Sequence, residues 1–77
     1  MAKVVKVCVV DDKGNGLSGQ IVKTYNGAQT KTDKSGCVSL VIDGSQARIY
    51  VNGREAFDGA ASRLRPLEVF TKGGARP

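Results

Sequence analysis

The chain has no histidine and no tryptophan, only two cysteines, only two prolines and only four aromatic residues. It also has no apolar run near the roughly 18 residues needed to span a bilayer. Each shortage excludes something. Without histidine, acid–base catalysis at neutral pH must rest on carboxylates with tuned environments. The seven acids, Asp11, Asp12, Asp33, Asp43, Glu55, Asp58 and Glu68, fall mostly in glycine-containing turns, where aspartates accept hydrogen bonds from nearby amides. Cys8 and Cys37 fit no zinc spacing, and no histidine is present to draw a proton from either thiol. Two cysteines do not make a disulfide framework, and if the face that bears them is covered, both are expected to be buried, reduced and inert. Without tryptophan, a stacking platform for sugars is poorly supplied. These shortages point away from an enzyme, and no cofactor, metal, small-molecule substrate or membrane partner is expected. The start, Met1-Ala2-Lys3-Val4, runs directly into a strand-like pattern without the apolar core of a secretory signal, so a cytoplasmic location is expected.

What is present is glycine and short apolar runs. Ten glycines in 77 residues punctuate segments that alternate with period two. Strands are expected at 3–10, 20–25, 28–32, 37–42, 47–51, 54–57 and 67–71. Asn26-Gly27 and Asn52-Gly53 are hairpin signals, because both residues tolerate positive φ. Residues 58–64 alone have helical character, one or two turns. The fold class is therefore all-β: a small antiparallel sandwich of six or seven short strands, with one short helical turn near 58–64. Residues 1–72 form a single domain, and 73–77 read as a flexible basic tail. The more apolar side of each strand assigns Val5, Val7, Val9, Ile21, Val38, Leu40, Ile49, Val51 and Val69 to one core. Leu17, isolated in a loop, plugs one end of it.

Residues 11–16, Asp-Asp-Lys-Gly-Asn-Gly, superficially resemble a calcium loop. Lys13 and Val22 occupy the third and twelfth positions, where oxygen ligands are required, so no calcium site is expected.

The net charge is +5. Every lysine but Lys72 lies before residue 35, and all five arginines lie after residue 47. Arginine is the better bidentate donor to carboxylate and phosphate. An anionic partner would therefore meet the second half, with Arg48, Tyr50, Arg54, Arg63 and Arg65 as candidate partner-binding residues. Arg48 and Tyr50 share a strand face, the minimal form of a basic groove with a stacking aromatic.

A second candidate surface comes from patterning. Strand 3–10 carries Val4, Cys8 and Val10 on the side away from the core, and strand 37–42 carries Cys37 and Val41. A sandwich that meets water on its outer faces alternates cleanly, apolar in and polar out. These faces are partly apolar instead. Val4, Cys8, Val10, Cys37 and Val41 are thus a candidate association face, covered by a second copy of the chain, by a partner protein, or by residues 58–70 folding over it.

The pattern Val7-x-Val9-x-Asp11-x-x-Gly14-x-x-Leu17-x-Gly19, followed by Thr32-Asp33-x-x-Gly36-x-x-x-Leu40, resembles the carboxypeptidase-regulatory-like and Cna-B-like domains. The match covers roughly residues 5–42. It implies a transthyretin-like (prealbumin-like) β-sandwich. Some Cna-B-like domains carry a Lys–Asn isopeptide cross-link. Lys6 could stand for the lysine, but residues 67–71 contain no Asn or Asp, and the cross-link is not carried over. The function expected is a non-enzymatic module that binds another protein or self-associates. The alternative is a small basic binder or inhibitor of a nucleic acid or ribonucleoprotein, of the kind encoded by phages or mobile elements.

Overall fold

The valine run near the N-terminus forms the middle strand of a sheet, as its branched side chains favour. In the computed structural model, which describes residues 2–25, 27 and 29–77, seven strands are found among the described residues. They are β1 (Lys3–Val10), β2 (Ile21–Thr24), β3 (Thr30–Lys31), β4 (Cys37–Ile42), β5 (Gln46–Val51), β6 (Arg54–Ala60) and β7 (Leu67–Thr71). A single 3-10 turn, Ala61–Arg63, separates the last two. The strands form two sheets, ordered β4-β1-β7 and β3-β2-β5-β6. The fold is all-β and consistent with a small sandwich. All strand pairs are antiparallel except β1 with β7, which is parallel.

Alternation decides the interior. Val5, Val7 and Val9 of β1 and Leu40 and Ile42 of β4 face Val22 of β2 and Ala47, Ile49 and Val51 of β5. Val38 and Leu17 pack against this cluster from its margin. A bulge in β6 opposite Ile49 and Tyr50 leaves Ala56 without a ladder partner. The consecutive residues Ala56 and Phe57 both pack on the core there, as an inserted residue permits. The Lys3 ammonium closes one end of the sandwich by donating to the Ala61 and Leu64 carbonyls at 3.0 and 2.8 Å.

Two strands are turned over relative to the sequence reading. In β2, Val22 is buried, Ile21 is half-buried on the opposite face and Tyr25, just past the strand, is exposed. Pairing of Val22 with Val51 and of Thr24 with Ile49 sets that register. In β7, Glu68 and Phe70 point inward, while Leu67 and Val69 do not. The parallel ladder places Glu68 beside Val7 and Phe70 beside Val9, both inward residues of β1. Ile21 and Val69 therefore lie outside the core to which the sequence assigned them. A register choice moves every side chain of a strand together. In β7 it is Phe70, fully buried, that takes the core position.

The second hairpin forms as read: Asn52 and Gly53 have φ of 51° and 82°. The Asn26-Gly27 signal rests on Asn26, which lies outside the described residues. Its flanking strands do pair, Ile21 with Lys31 and Val22 with Thr30. Residues 58–60, expected to be helical, extend β6, and only Ala61–Arg63 turn. Residues 73–77, read as a tail, fold back on β7. The Thr71 amide donates to the Ala75 carbonyl at 2.7 Å, and Gly74 is buried.

The loop after β1 and the turn before β4 cross at two glycines. Gly36 has φ +89°, and a Cβ there would lie 2.5–2.7 Å from backbone atoms of Gly16 and Leu17. Gly14 has nearly the same φ, +87°, but open space around it. Gly36→Ala should therefore cost on the order of 3 kcal/mol or more, through strain plus overlap, and Gly14→Ala only about 1 kcal/mol. Urea denaturation of the two variants measures the difference. Equal losses would show that φ alone, not the crossing, sets the cost.

Candidate functional site

The outer face of the β4-β1-β7 sheet is built by the side chains that alternate away from the core. Val4 of β1 lies directly opposite Val41 of β4, and Cys8 opposite Cys37. On the other flank, Lys6 lies beside Leu67 and Cys8 beside Val69. Val4, Val41 and Leu67 are 63%, 66% and 51% exposed. They are three of the four exposed large hydrophobic residues among the described residues, and they share one face.

The structure changes three parts of the sequence reading of this face. Cys8 and Cys37, expected to be reduced if this face is covered, form a disulfide. They are directly opposed on neighbouring antiparallel strands with Cα atoms 3.9 Å apart, and the bond leaves both residues nearly covered. Val10 is also buried, beside the bridge between Val10 and Gly16. Of the five candidate association residues, only Val4 and Val41 are open to solvent. Residues 58–70 do not cover the face: Ala61 and Leu64 join the core, and β7 widens the sheet alongside β1. In widening it, β7 contributes Leu67 and Val69, which sequence reasoning missed because it turned that strand over.

The outer face of the other sheet is basic and aromatic. Arg48 and Tyr50 do share it, as expected, together with Lys23 and Tyr25. Their charges are answered locally. The Lys23 ammonium lies 5.7 Å from the Tyr50 ring centroid and the Arg48 guanidinium 5.2 Å from that of Tyr25. Arg48 also pairs with Asp58 at 3.5 Å. The other candidate arginines stand apart from this group. Arg54 begins β6 and Arg63 lies just beyond its other end, a separation of about 20 Å at the usual strand rise. Arg65 lies beside Glu68, 3.8 Å from its carboxylate. Among the described residues no three of His, Cys, Asp and Glu gather in a metal-binding group. No helix among them is long and apolar enough to cross a membrane.

No protein-family model, curated protein or solved structure matches this chain.

Among the described residues the one acid inside the sandwich wall is Glu68, 1% exposed. One carboxylate oxygen accepts from the Arg65 amide at 2.7 Å, and the other from the Arg76 guanidinium at 2.6 Å. Arg76 in turn stacks over Phe70 at 5.2 Å. Burial pushes the Glu68 carboxyl up, but the Arg65 amide and then Arg76 outweigh it and hold the group below its ordinary 4.5. Asp33 is held low by the Ser35 hydroxyl and the Cys37 amide, and Asp11 by the Asn15 and Lys13 amides. A carboxyl depressed on folding binds fewer protons folded than unfolded. Its stabilisation is complete above the unfolded value and is lost as pH falls through the folded one. The melting temperature should therefore hold down to about pH 5 and fall steadily below it. Glu68→Gln should cost about 1–2 kcal/mol at neutral pH, because the carboxamide nitrogen leaves one of the two donors without an acceptor, and should flatten part of the acid slope. An unchanged slope would assign acid sensitivity to Asp11 and Asp33 instead.

Proposed function

We propose that the chain is a non-enzymatic protein-interaction module that binds through the outer face of β4-β1-β7. The observation that carries this reading is the gathering of Val4, Val41 and Leu67, each more than half exposed, on one side of one sheet. Contiguous exposed apolar surface on a small protein marks an interaction site more often than chance exposure does. The resemblance to carboxypeptidase-regulatory-like and Cna-B-like domains fits this reading, since those are modules rather than catalysts. The rival reading, a basic binder of nucleic acid, draws support from the Lys23–Tyr50 and Arg48–Tyr25 pairs. It is the weaker one, because these cations already face aromatic rings and Asp58, and the remaining arginines are dispersed.

The disulfide bears on where such a module works. A cytoplasmic setting, expected from the sequence, keeps thiols reduced, whereas a cross-strand bond persists in oxidising compartments. The Cys8–Cys37 bond favours the second setting. It closes a loop with a sequence separation of 29, so its reduction should cost about 3–4 kcal/mol on the loop-entropy account. Thermal melts with and without a phosphine reductant, beside Cys37→Ser, test this. Coincident melts would make the bond irrelevant to folding.

The binding reading is tested by capture from native extract, with and without nuclease, on wild-type chain and on Val41→Lys/Leu67→Lys. A protein partner that survives nuclease and is lost with the double variant is expected. Partners lost only on nuclease treatment, with a steep salt dependence, would transfer the function to the basic face.

A further inference from the structure

The proposed binding face has one charge at its centre. Lys6 lies on β1, the middle strand, between Ser39 of β4 and Leu67 of β7. Val4 and Val41 lie on one side of it along the strands, and the Cys8–Cys37 disulfide on the other. Lys6 is exposed, and among the described residues its ammonium is in no ion pair. None of the residues that alternate onto this face from β1, β4 or β7 is acidic. Asp33 feels the Lys6 charge, but its carboxylate is already engaged by the Ser35 amide and hydroxyl and the Cys37 amide.

That arrangement discriminates between occupants. The face is three strands wide, so anything that covers Val4, Val41 and Leu67 also covers Lys6. An ammonium removed from water is costly unless a counter-charge meets it. A second copy of this chain, docked by the same face, presents another Lys6 and no acid from its strands, while its Asp33 is already engaged. The chain's net charge of +5 adds repulsion between copies. A partner whose apolar side chains surround a carboxylate meets the face without an unpaired charge. The lysine then selects against surfaces that are merely apolar.

We propose that this face docks a partner segment in which one Asp or Glu, flanked by apolar side chains, pairs with Lys6. The inference rests on the protein-interaction reading above and adds the chemistry of the partner. A displayed random-peptide library, selected on the wild-type chain and counter-selected on Val41→Lys/Leu67→Lys, supplies the probe. The most enriched peptide is then made with its acid intact and with that acid replaced by lysine. Enriched peptides should carry one acid among large apolar residues. Their affinity should fall on the order of tenfold or more with Lys6→Glu or Lys6→Met. The lysine-bearing peptide should recover binding to Lys6→Glu but not to Lys6→Met. Both variants alter an exposed site, and circular dichroism checks that they stay folded. Peptides that need the apolar face but lack an acid, or ignore both Lys6 variants, overturn this inference and leave the interaction reading standing. A library that yields nothing dependent on the face overturns both. A wild-type chain that is dimeric by light scattering and made monomeric by Val41→Lys identifies a second copy as occupant, and likewise overturns the inference.

Discussion

Glu68 is a carboxylate set into a wall of valines, and much of the molecule's outward character follows from how it is held. Its register against Val7 puts Phe70 into the core and Leu67 and Val69 on the outer face. That register is tolerable only because two donors reach the carboxylate, one from the backbone just before β7 and one from Arg76 just after it. Without them a buried anion would cost several kcal/mol, more than the burial of Phe70 alone would return. The last residues of the chain are thus part of the sandwich, and the candidate binding face owes its third flank to an ion pair on the opposite side of the same strand.

The legible parts of the fold were those in which local pattern and tertiary demand agree. In β1, β4 and β5 the residues facing inward are also the more apolar set, and the alternation of Val5, Val7 and Val9 or of Ala47, Ile49 and Val51 reads directly. Asn52-Gly53 reads equally well, because both residues adopt positive φ within the turn itself. The failures share one cause. In β2 and β7 both faces carry apolar residues, so hydrophobicity barely distinguishes them, and pairing partners far along the chain decide. In β7 the Glu68 carboxylate makes the Leu67–Val69 side the more apolar one, and that preference misassigns the strand, since nothing local to 67–71 announces that Arg76 returns to neutralise it.

The cysteines show the same limit from another side. A pair separated by 29 residues carries no local signal that the two will face each other. Only the register of β1 on β4, in which Val4 meets Val41 and Val7 meets Val38, brings Cys8 opposite Cys37. The outer-face assignment of both residues was readable; their covalent state was not, because it depends on an antiparallel pairing between strands separated by β2 and β3. The same pairing explains why the face is apolar without being loose: the sulfur atoms cover each other and leave Val4, Val41 and Leu67 as the exposed apolar surface.

The two outer faces then differ in a way that bears on binding. On the β3-β2-β5-β6 sheet, each of Lys23 and Arg48 already has an aromatic ring, and Arg48 also has a carboxylate. A partner there must displace existing interactions, and gains only the difference. On the β4-β1-β7 sheet Val4, Val41 and Leu67 are exposed, and among the described residues Lys6 has no ion pair to give up. Its middle strand is held on one flank by a covalent bond to β4 and on the other by a parallel ladder to β7, whose position Glu68 secures. A surface fixed in this way loses little conformational freedom when it is covered, and that loss is a main reason why buried area converts poorly into affinity. For a chain too short to gain much from its own core, the same two restraints that stabilise the sandwich also hold this face in the fixed form that the proposed binding requires.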